Sequence, residues 1–354
     1  MKNKIIAGLF LGWIVVFSAA QILMEDETVS TSERRHLASF PDYVYSRTYA
    51  EDVEDYLLDQ FPYRDGFRSI KANVNYHVLQ KLDNNGVSLN GDMIFQSLYP
   101  TNAASAAHFV RKTQAVCRNL TADNHAYLAV IPDKNYYAEE PIFLHLDYPA
   151  IYAAAEQTGL PLIDLRTIMR LDDYYQTDTH WKQENLDKVV EKLSETMQFP
   201  YRKQEYTAHR FDSFYGVLYG QAAVKHRPEP LTYLTNDATD GAEVFYLENP
   251  KLHTVYAPQA LDSWDAYEVF LDGASAYIEI TNPAQQSGRE LVVFRDSFGS
   301  SLIPLLIPYY SHITVVDNRY IRQEHLTKYL TFTDQDVLFL YSTAMINNSF
   351  SLKG

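Results

Sequence analysis

An apolar run that ends in a polar turn constrains the fold of this chain more than any other feature. Residues 291–294 are all apolar, and the turn at residues 295–299 reads Arg-Asp-Ser-Phe-Gly. A strand without polar alternation is typically buried on both faces, as in a parallel sheet covered by helices. We predict a helix at residues 300–310, directly after the turn. This order places Ser297 at the carboxyl edge of a sheet, where open α/β proteins bind their ligands.

Strands and helices alternate over much of the chain, which predicts an α/β fold with a mainly parallel sheet flanked by helices. Residues 51–82 show helical periodicity. Residues 200–289 lose it and break into short alternating segments, which predict a β-rich insertion. The other patterns predict strands at residues 127–131, 160–165, 313–316 and 337–341, and helices at residues 104–119, 148–158, 184–197 and 322–330.

The N-terminus predicts where the protein resides. Lys2 and Lys4 precede an uncharged run at residues 5–24, which is long enough to span a bilayer. Ala19 and Ala20 offer a site for signal-peptide cleavage, but the apolar run continues beyond them. An uncleaved anchor is therefore favoured, and a cleaved signal stays open. In both cases we expect the rest of the chain to be extracytoplasmic, because the positive flank stays in the cytoplasm.

These patterns predict five segments. They are a transmembrane signal-anchor at residues 1–24, a polar tether at 25–37, the first part of the α/β domain at 38–199, the β-rich insertion at 200–289, and the second part of the α/β domain at 290–354.

Composition excludes some classes of partner. The formal net charge of −15 argues against binding to nucleic acid, which needs clustered Lys and Arg. It argues equally against binding to an anionic membrane surface. Cys117 is the only cysteine, so neither an intramolecular disulfide nor a cysteine-based zinc cluster is possible within the chain. We expect no cofactor.

Ser297 occupies a position suited to a nucleophile. A strand-to-helix turn presents its hydroxyl at the sheet edge, and the first amides of the helix, beginning with that of Phe298, can donate to an oxyanion. A Ser at this position is also a common helix N-cap. The turn alone does not separate these two interpretations.

Asp178 and His180 supply the other two groups of an activated nucleophile. In an extended segment, residues two apart point to the same side. His180 would then deprotonate Ser297, and Asp178 would fix the tautomer of the imidazole. The alternative is a structural loop pair. A metal site using Asp172 and Asp173 is disfavoured, because no further His lies at a suitable spacing.

Three more polar residues follow predicted strands. Lys134 and Asn135 come after the strand that ends at residue 131, and Arg319 comes after the strand that ends at residue 316. The amide of Asn135 would complete an oxyanion hole. Lys134 would bind a carboxylate or orient Ser297. Arg319 would bind an anionic substrate group or pair with Asp317. For all three, a purely structural or solvated role stays open.

Several short motifs, taken in order, resemble the DHHW family of bacterial exported proteins, which is related to the SGNH-hydrolase-like proteins of alginate O-acetylation. The namesake motif has His where this chain has Thr179, and the hydrolase relatives have Gly where this chain has Arg295. The motifs lie at residues 59–64, 131–134, 178–181, 214–219, 295–298 and 316–320.

The resemblance implies an SGNH-like fold in which Ser297, His180 and Asp178 match the positions of the triad. It also implies addition or removal of acetyl groups on a cell-surface polysaccharide. A transferase needs acetyl groups outside the cell, so a multi-pass membrane acyltransferase is the expected partner. The alternative is a non-catalytic envelope protein that binds glycan or serves as a scaffold, with Ser297 as an N-cap.

Overall fold

The computed structural model describes residues 2–42, 47–138, 144–249 and 252–353. The chain divides into two compact units. The first consists of Met1–Gly86 with Tyr219–His226, and the second of Val87–Leu218 with Arg227–Gly354.

The first unit contains the apolar N-terminal helix. This helix, α1, has a mean hydropathy of 2.2, and by length and composition it is able to cross a membrane. A membrane anchor and a signal sequence both meet this description. The elements of the unit are α1 (Lys2–Leu23), β1 (Val29–Ser30), β2 (Arg35–His36), α2 (Tyr49–Asp59) and α3 (Arg64–Asn73), which continues as a π-helical turn over Val74–Val78.

The second unit is built around one large sheet. The strands of this unit are β3 (Val87–Asn90), β4 (Met93–Gln96), β5 (His125–Ile131), β6 (Leu162–Asp164), β7 (Thr207–Phe214), β8 (Glu229–Thr235), β9 (Glu243–Tyr246), β10 (Leu252–His253), β11 (Tyr277–Thr281), β12 (Glu290–Arg295), β13 (His312–Val316) and β14 (Asp336–Ser342).

Helices connect these strands. The α-helices are α4 (Ala103–Cys117), α5 (Tyr148–Glu156), α6 (Asp187–Met197), α7 (Val217–Ala222), α8 (Asp237–Asp240), α9 (Gly299–Leu302), α10 (Gln323–Leu326) and α11 (Thr343–Asn347). Short 3₁₀ segments occupy Lys134–Tyr137, Leu171–Asp173, Gln183–Asn185, Pro258–Asp262, Ala266–Val269, Ile303–Tyr309 and Ser349–Ser351.

The sheet is mainly parallel, which confirms the predicted fold class. Among the described residues it has eight strands in the order β10-β9-β11-β13-β12-β14-β5-β6. The strands from β13 to β6 in this order run parallel to their neighbours, whereas β9, β10 and β11 pair antiparallel. Residues 200–289 thus contribute three strands to the central sheet, and β7 pairs with β8 in a separate ribbon. The five predicted segment boundaries stay predictions.

Apolar side chains cover both faces of the sheet. Along β12, Val292 and Phe294 pack on the face that carries α4 and α5, and Leu291 and Val293 pack on the face that carries α6. Successive residues of a strand point to opposite faces, so an unbroken apolar run serves both cores. This explains why the strand predicted at residues 291–294 lies at the centre of the sheet.

The parallel strands bring their carboxyl ends to one edge of the sheet. The pairing of β12 with β13 and β14 brings the residues that follow these strands close together, and β5 adds the segment after Ile131. Segments that are distant in sequence therefore meet at this edge, which is the usual place for a ligand in an open α/β sheet.

Candidate active site

Three side chains at this edge form a continuous hydrogen-bonded chain. His180 Nδ1 lies 2.6 Å from Asp178 Oδ1, and His180 Nε2 lies 2.7 Å from Ser297 Oγ. The Asp178 side chain is buried, and that of His180 is 12% exposed. A carboxylate, an imidazole and a hydroxyl in this order are the arrangement of a nucleophilic triad.

Asp178 and His180 meet through a bend rather than through the extended segment that the sequence suggested. The backbone N–H of His180 donates to Asp178 Oδ1 at 3.0 Å, so one carboxylate oxygen contacts both the backbone and the ring of His180. Short Asp side chains commonly bond to backbone two residues on. The other oxygen, Oδ2, accepts from the N–H of Val217 at 2.9 Å.

Gly216 is required for this approach. A Cβ at Gly216 would lie 2.3 Å from Asp178 Cβ and 2.3 Å from the carbonyl oxygen of Thr177, distances that no side chain tolerates. The N–H of Gly216 also donates to Thr177 Oγ1 at 2.7 Å. The backbone at residues 216–217 therefore lies directly against the carboxylate of the triad.

The side chain of Lys134 binds the backbone of the segment that carries Asp178 and His180. Its buried ammonium donates to the carbonyls of Tyr175, Gln176 and Asp178 at 3.0, 3.1 and 2.7 Å. An ammonium has three N–H donors, so none is left for a substrate carboxylate or for Ser297, the roles that the sequence suggested. Burial lowers the pKa of Lys134 to about 7, and the charge of Asp178 opposes that shift.

Glu229 holds the same segment from another strand. Its Oε1 accepts from the N–H and the hydroxyl of Thr177 at 2.7 and 2.6 Å, and its Oε2 accepts from the N–H of Gln176 at 2.8 Å. Together with Lys134, this buried carboxylate satisfies backbone groups that no sheet or helix pairs.

Regular structure holds the turn that carries Ser297. Asp296 caps it, because Oδ1 accepts from the N–H of Phe298 at 3.0 Å and Oδ2 from the N–H of Ser342 at 2.8 Å. Gly299 then begins α9, and a Cβ there would lie 2.8 Å from Arg295 Cβ. Gly299 thus makes room for the buried Arg295 side chain.

Of the two donors predicted for an oxyanion, the N–H of Phe298 is committed elsewhere, whereas the side-chain amide of Asn135 keeps one N–H. The N–H of Phe298, which the sequence suggested, is committed to Asp296. The N–H of Ser297 has no acceptor in the described part of the chain. Asn135 uses its side-chain amide to donate to the carbonyl of Gln96 at 2.7 Å and still has a second N–H. The available donors at this edge are therefore those of Ser297 and Asn135.

Arg319 pairs with Asp317, which is one of the roles considered for it. Its Nε and Nη2 form a bidentate pair with the buried Asp317, with the closest contact at 2.6 Å. Among the described residues, none accepts from Nη1, and the side chain is 23% exposed. Arg319 is therefore held in place by Asp317 and keeps one NH₂ group for a ligand.

A cavity of about 280 Å³ opens beside Ser297. Its walls combine polar groups with apolar side chains from the segment after β14. The described part of the chain has no cluster of His, Cys, Asp or Glu suited to a metal ion. The lining residues are Gln96, Leu98, Asp133, Lys134, Asn135, Thr179, Asp296, Ser297, Phe298, Arg319, Ser342, Ala344, Met345 and Asn348.

Two residues at the site lie in no sequence motif, namely Tyr267 beside His180 and Glu229 beside Thr177. The ring of Tyr267 stacks on the imidazole with centroids 4.0 Å apart and planes 10° apart, yet Tyr267 is one of 28 tyrosines in the chain. Glu229 likewise lies in no motif of the sequence. Gly216 does lie in one of the motifs noted above, and Trp181 in another. Trp181 Nε1 donates to the carbonyl of Phe298 at 3.0 Å, which joins the two segments of the triad.

The fold and this edge define the protein's class as an SGNH-like α/β protein. Residues 164–316 match the family model described as DHHW protein. A DHHW family protein from Eubacterium siraeum has a similar structure, with a TM-score of 0.63 and 21% identity over 76% of this chain and 95% of that one. The predicted resemblance to the DHHW family is thus confirmed. No curated protein matches the sequence.

Two structures of more distant proteins are also similar. Bacillus cereus PatB1 with a sulfonyl adduct has a TM-score of 0.57 and 15% identity, over 76% of this chain and all of that one. The O-acetyltransferase domain of Pseudomonas putida AlgJ has a TM-score of 0.42 and 15% identity, over 74% of this chain and 92% of that one. At such identities, the likeness to PatB1 establishes the fold alone.

Proposed function

We propose that the protein is a serine O-acetyltransferase or acetylesterase that acts on a cell-surface polysaccharide through Ser297, His180 and Asp178. The observation that carries the proposal is the hydrogen-bonded chain from Asp178 through His180 to Ser297, with contacts of 2.6 and 2.7 Å, beside an open cavity. A helix N-cap serine has no need of an imidazole on its hydroxyl, nor that imidazole of a buried carboxylate.

The first step transfers an acetyl group to Ser297. Oγ attacks the acetyl carbonyl carbon while His180 Nε2 takes the hydroxyl proton, and Asp178 stabilises the imidazolium. The N–H groups of Ser297 and Asn135 stabilise the oxyanion. When the tetrahedral intermediate collapses, the bond to the donor's oxygen breaks, and His180 returns the proton to that oxygen. The product is an acetyl ester on Ser297.

The second step transfers the acetyl group onward. A hydroxyl of the acceptor loses its proton to His180 and attacks the ester, and Ser297 recovers its hydroxyl proton as it leaves. A sugar hydroxyl as acceptor makes the protein a transferase, and water makes it an esterase. The free NH₂ group of Arg319 can only donate hydrogen bonds. It therefore suits an acceptor sugar that carries a negative charge or many hydroxyl groups.

The comparisons support the proposal in one respect. The PatB1 structure contains a sulfonyl adduct, and sulfonyl reagents react with activated nucleophiles. Because the folds are similar, reaction with a sulfonyl reagent is a direct test of Ser297. Similarity of fold does not transfer the activity of PatB1 to this chain.

The proposed location is the outer side of a membrane, with α1 as the anchor. Helix α1 has the length and hydropathy for this role. A transferase at that location needs acetyl groups from the cytoplasm, and a multi-pass membrane acyltransferase would supply them. The anchor would keep the two proteins in the same membrane.

The test uses the full chain in detergent. Wild type should hydrolyse p-nitrophenyl acetate, and Ser297→Ala should lose roughly 10⁴-fold or more in kcat, because the nucleophile is gone. A sulfonyl fluoride should add one sulfonyl group to Ser297, located by mass spectrometry of the digested protein. Ser287→Ala, which alters an exposed serine, should behave as wild type in both assays.

Two outcomes decide the proposal. A wild-type protein with an intact fold that neither turns over the ester nor reacts with the sulfonyl fluoride is not a serine enzyme, and the glycan-binding scaffold becomes the better hypothesis. If turnover is found, adding oligosaccharide acceptors separates the two reactions. Acetylated sugar identifies a transferase, and acetate release unaffected by any acceptor identifies an esterase.

A further inference from the structure

Helix α3 and the π-helical turn after it carry an exposed apolar stripe. Phe67, Ile70, Val74 and Val78 recur at spacings of three and four residues, so they lie on one side of the helix. Ile70 is 62% exposed and Val78 is 71% exposed. Leu79 and Leu82 extend the same exposed surface beyond the helix. We call these six residues the α3 stripe.

The polar side of α3 is the side that packs inward. Arg68 donates to the carbonyl of Gly220 at 2.8 Å and pairs with Glu33 at 3.0 Å. Ala72 on the same side is fully buried. A helix on the surface of a protein in water has the reverse arrangement, with its apolar face on the core and its polar face outward. The outward face of α3 therefore suits an apolar surrounding.

The stripe is continuous with α1. Phe17 of α1 stacks on Phe61, with centroids 5.4 Å apart, and meets Phe67 of the stripe edge-on at 5.6 Å. Gln21 of α1 also donates to the carbonyl of Leu57 at 3.1 Å. None of the residues of α1 is buried. The apolar surface of α1 thus passes without interruption into the α3 stripe near the C-terminal end of α1.

We propose that the α3 stripe is a second membrane contact, which lies in the headgroup region of the bilayer beside the outer end of α1. The proposal rests on the location suggested above, with α1 in the membrane. Aromatic and aliphatic side chains on one face of a helix partition into the boundary between headgroups and acyl chains. A stripe that adjoins a spanning helix meets that boundary without further movement of the chain.

Lipid is a better occupant than a protein for this stripe. A protein interface of ordinary size needs a patch with polar groups at its rim and pockets for anchoring side chains. The stripe is a convex line of Ile, Val, Leu and Phe side chains, and the surface next to it is α1 itself. When a bilayer covers both helices, the spanning helix α1 and helix α3, which lies along the membrane surface, present one continuous apolar surface.

The test places a nitroxide at single cysteines of the full chain, reconstituted in uncharged vesicles of phosphatidylethanolamine and phosphatidylcholine. The background variant Cys117→Ser removes the native thiol. Ile70→Cys and Val78→Cys report on the stripe, Asn73→Cys on an exposed position of α3 outside it, and Val15→Cys on α1. The readout is accessibility of each label to oxygen, which concentrates in lipid, against a water-soluble nickel complex.

The proposal expects labels at Ile70 and Val78 to be more accessible to oxygen than to nickel, and the label at Asn73 to show the opposite preference. Greater nickel accessibility at both stripe positions would overturn it. Shielding of both positions from both reagents would also overturn it, in favour of a contact with a second copy of the chain.

The label at Val15 separates failure of the stripe from failure of the anchor. Lipid exposure at Val15 with water exposure at the stripe overturns the stripe alone. Water exposure at Val15 with lipid exposure at the stripe overturns the anchor, and with it the position of the stripe beside a spanning helix. Water exposure at all positions overturns both.

Discussion

The two segments that supply the triad are held in different ways. The turn with Ser297 lies between β12, which is paired on both sides, and helix α9. The segment with Asp178 and His180 is a series of bends without helix or strand pairing at residues 176–180. Buried side chains, chiefly Lys134 and Glu229, satisfy much of its backbone, and the N–H groups of Ile94 and Leu218 reach two of its carbonyls. Ser297, the proposed nucleophile, is therefore positioned by regular structure, and His180, the proposed base, is positioned by individual side chains.

This difference predicts which substitutions should reduce activity most. Hydrogen bonds of a central sheet are numerous and support one another, so the loss of one changes the turn little. The Lys134 ammonium has no substitute at the carbonyls of Tyr175 and Asp178, and each carbonyl left unpaired costs about 1–3 kcal/mol. Substitutions around His180 should therefore affect activity more than equivalent substitutions around Ser297.

The largest effect is expected from Gly216→Ala. The new methyl group would overlap Asp178 and the carbonyl of Thr177, so the triad carboxylate must move. A displacement of about 1 Å can lower kcat by roughly 10²-fold. Ester hydrolysis and circular dichroism measure activity and fold. Gly66→Ala is the matched control, because a Cβ there contacts nothing within 4 Å. Full activity of Gly216→Ala would show that residues 216–217 do not position the triad.

Lys134→Met should have the next largest effect. It leaves the carbonyls of Tyr175 and Asp178 without a donor, whereas that of Gln176 still accepts from the N–H of Ile94, so we expect a loss of about 2 kcal/mol or more in the free energy of unfolding. We also expect kcat to fall by more than about tenfold, since Asp178 and His180 loosen. Chemical denaturation and ester hydrolysis measure the two effects.

Lys182→Met is the control for that variant. Among the described residues, the side chain of Lys182 makes one hydrogen bond, from Nζ to the carbonyl of Asp172 at 3.1 Å, and surface contacts of this kind contribute less than about 1 kcal/mol. If both lysine variants lose the same stability and activity, Lys134 has no special role in holding the segment.

A matched pair of substitutions compares the two segments directly. Glu229→Gln and Asp296→Asn each replace a buried carboxylate that accepts backbone N–H groups. Both should cost about 1–3 kcal/mol in stability. We expect Glu229→Gln to lower kcat several-fold more than Asp296→Asn, because β12 holds Ser297 independently of the cap. A larger loss in Asp296→Asn would reverse the comparison.

The last prediction is a pH dependence of stability that originates at Lys134. Burial lowers its pKa from 10.5 to about 7. The unfolded chain then binds one proton more than the folded chain between these pH values, so this group makes stability rise with pH in that window. Relative to Lys134→Met, the wild type should gain up to about 1.4 kcal/mol per pH unit. Parallel pH curves for the two proteins would contradict this.

The fold could be predicted because its signals are local. The apolar run at residues 291–294 identified the central strand, and the helix expected at residues 104–119 is α4 at Ala103–Cys117. Ser297, Asp178 and His180 could be grouped because their residue types are those of a triad, Ser297 follows a strand, and Asp178 and His180 lie two residues apart. The helix expected at residues 300–310 is shorter, since α9 ends at Leu302 and Pro304 and Pro308 leave only 3₁₀ turns.

The rest of the site could not be predicted, because it depends on contacts between distant residues. A lysine at a sheet edge looks the same in sequence whether it binds a substrate or three carbonyls. Tyr267 and Glu229 reach the triad segment from positions that carry no motif. Helical periodicity identified α3 but did not indicate that its apolar side faces outward, since the same spacing describes a core helix.

The outward apolar side of α3 has a consequence for solubility. Removal of residues 1–24 would delete α1 and leave Phe67, Ile70 and Val78 exposed to water. Exposed apolar patches promote self-association, so such a shortened protein should aggregate unless detergent is present. Replacing Ile70 and Val78 with glutamine should restore a monodisperse monomer in size-exclusion chromatography, and would provide a soluble form in which the chemistry of Ser297 can be studied.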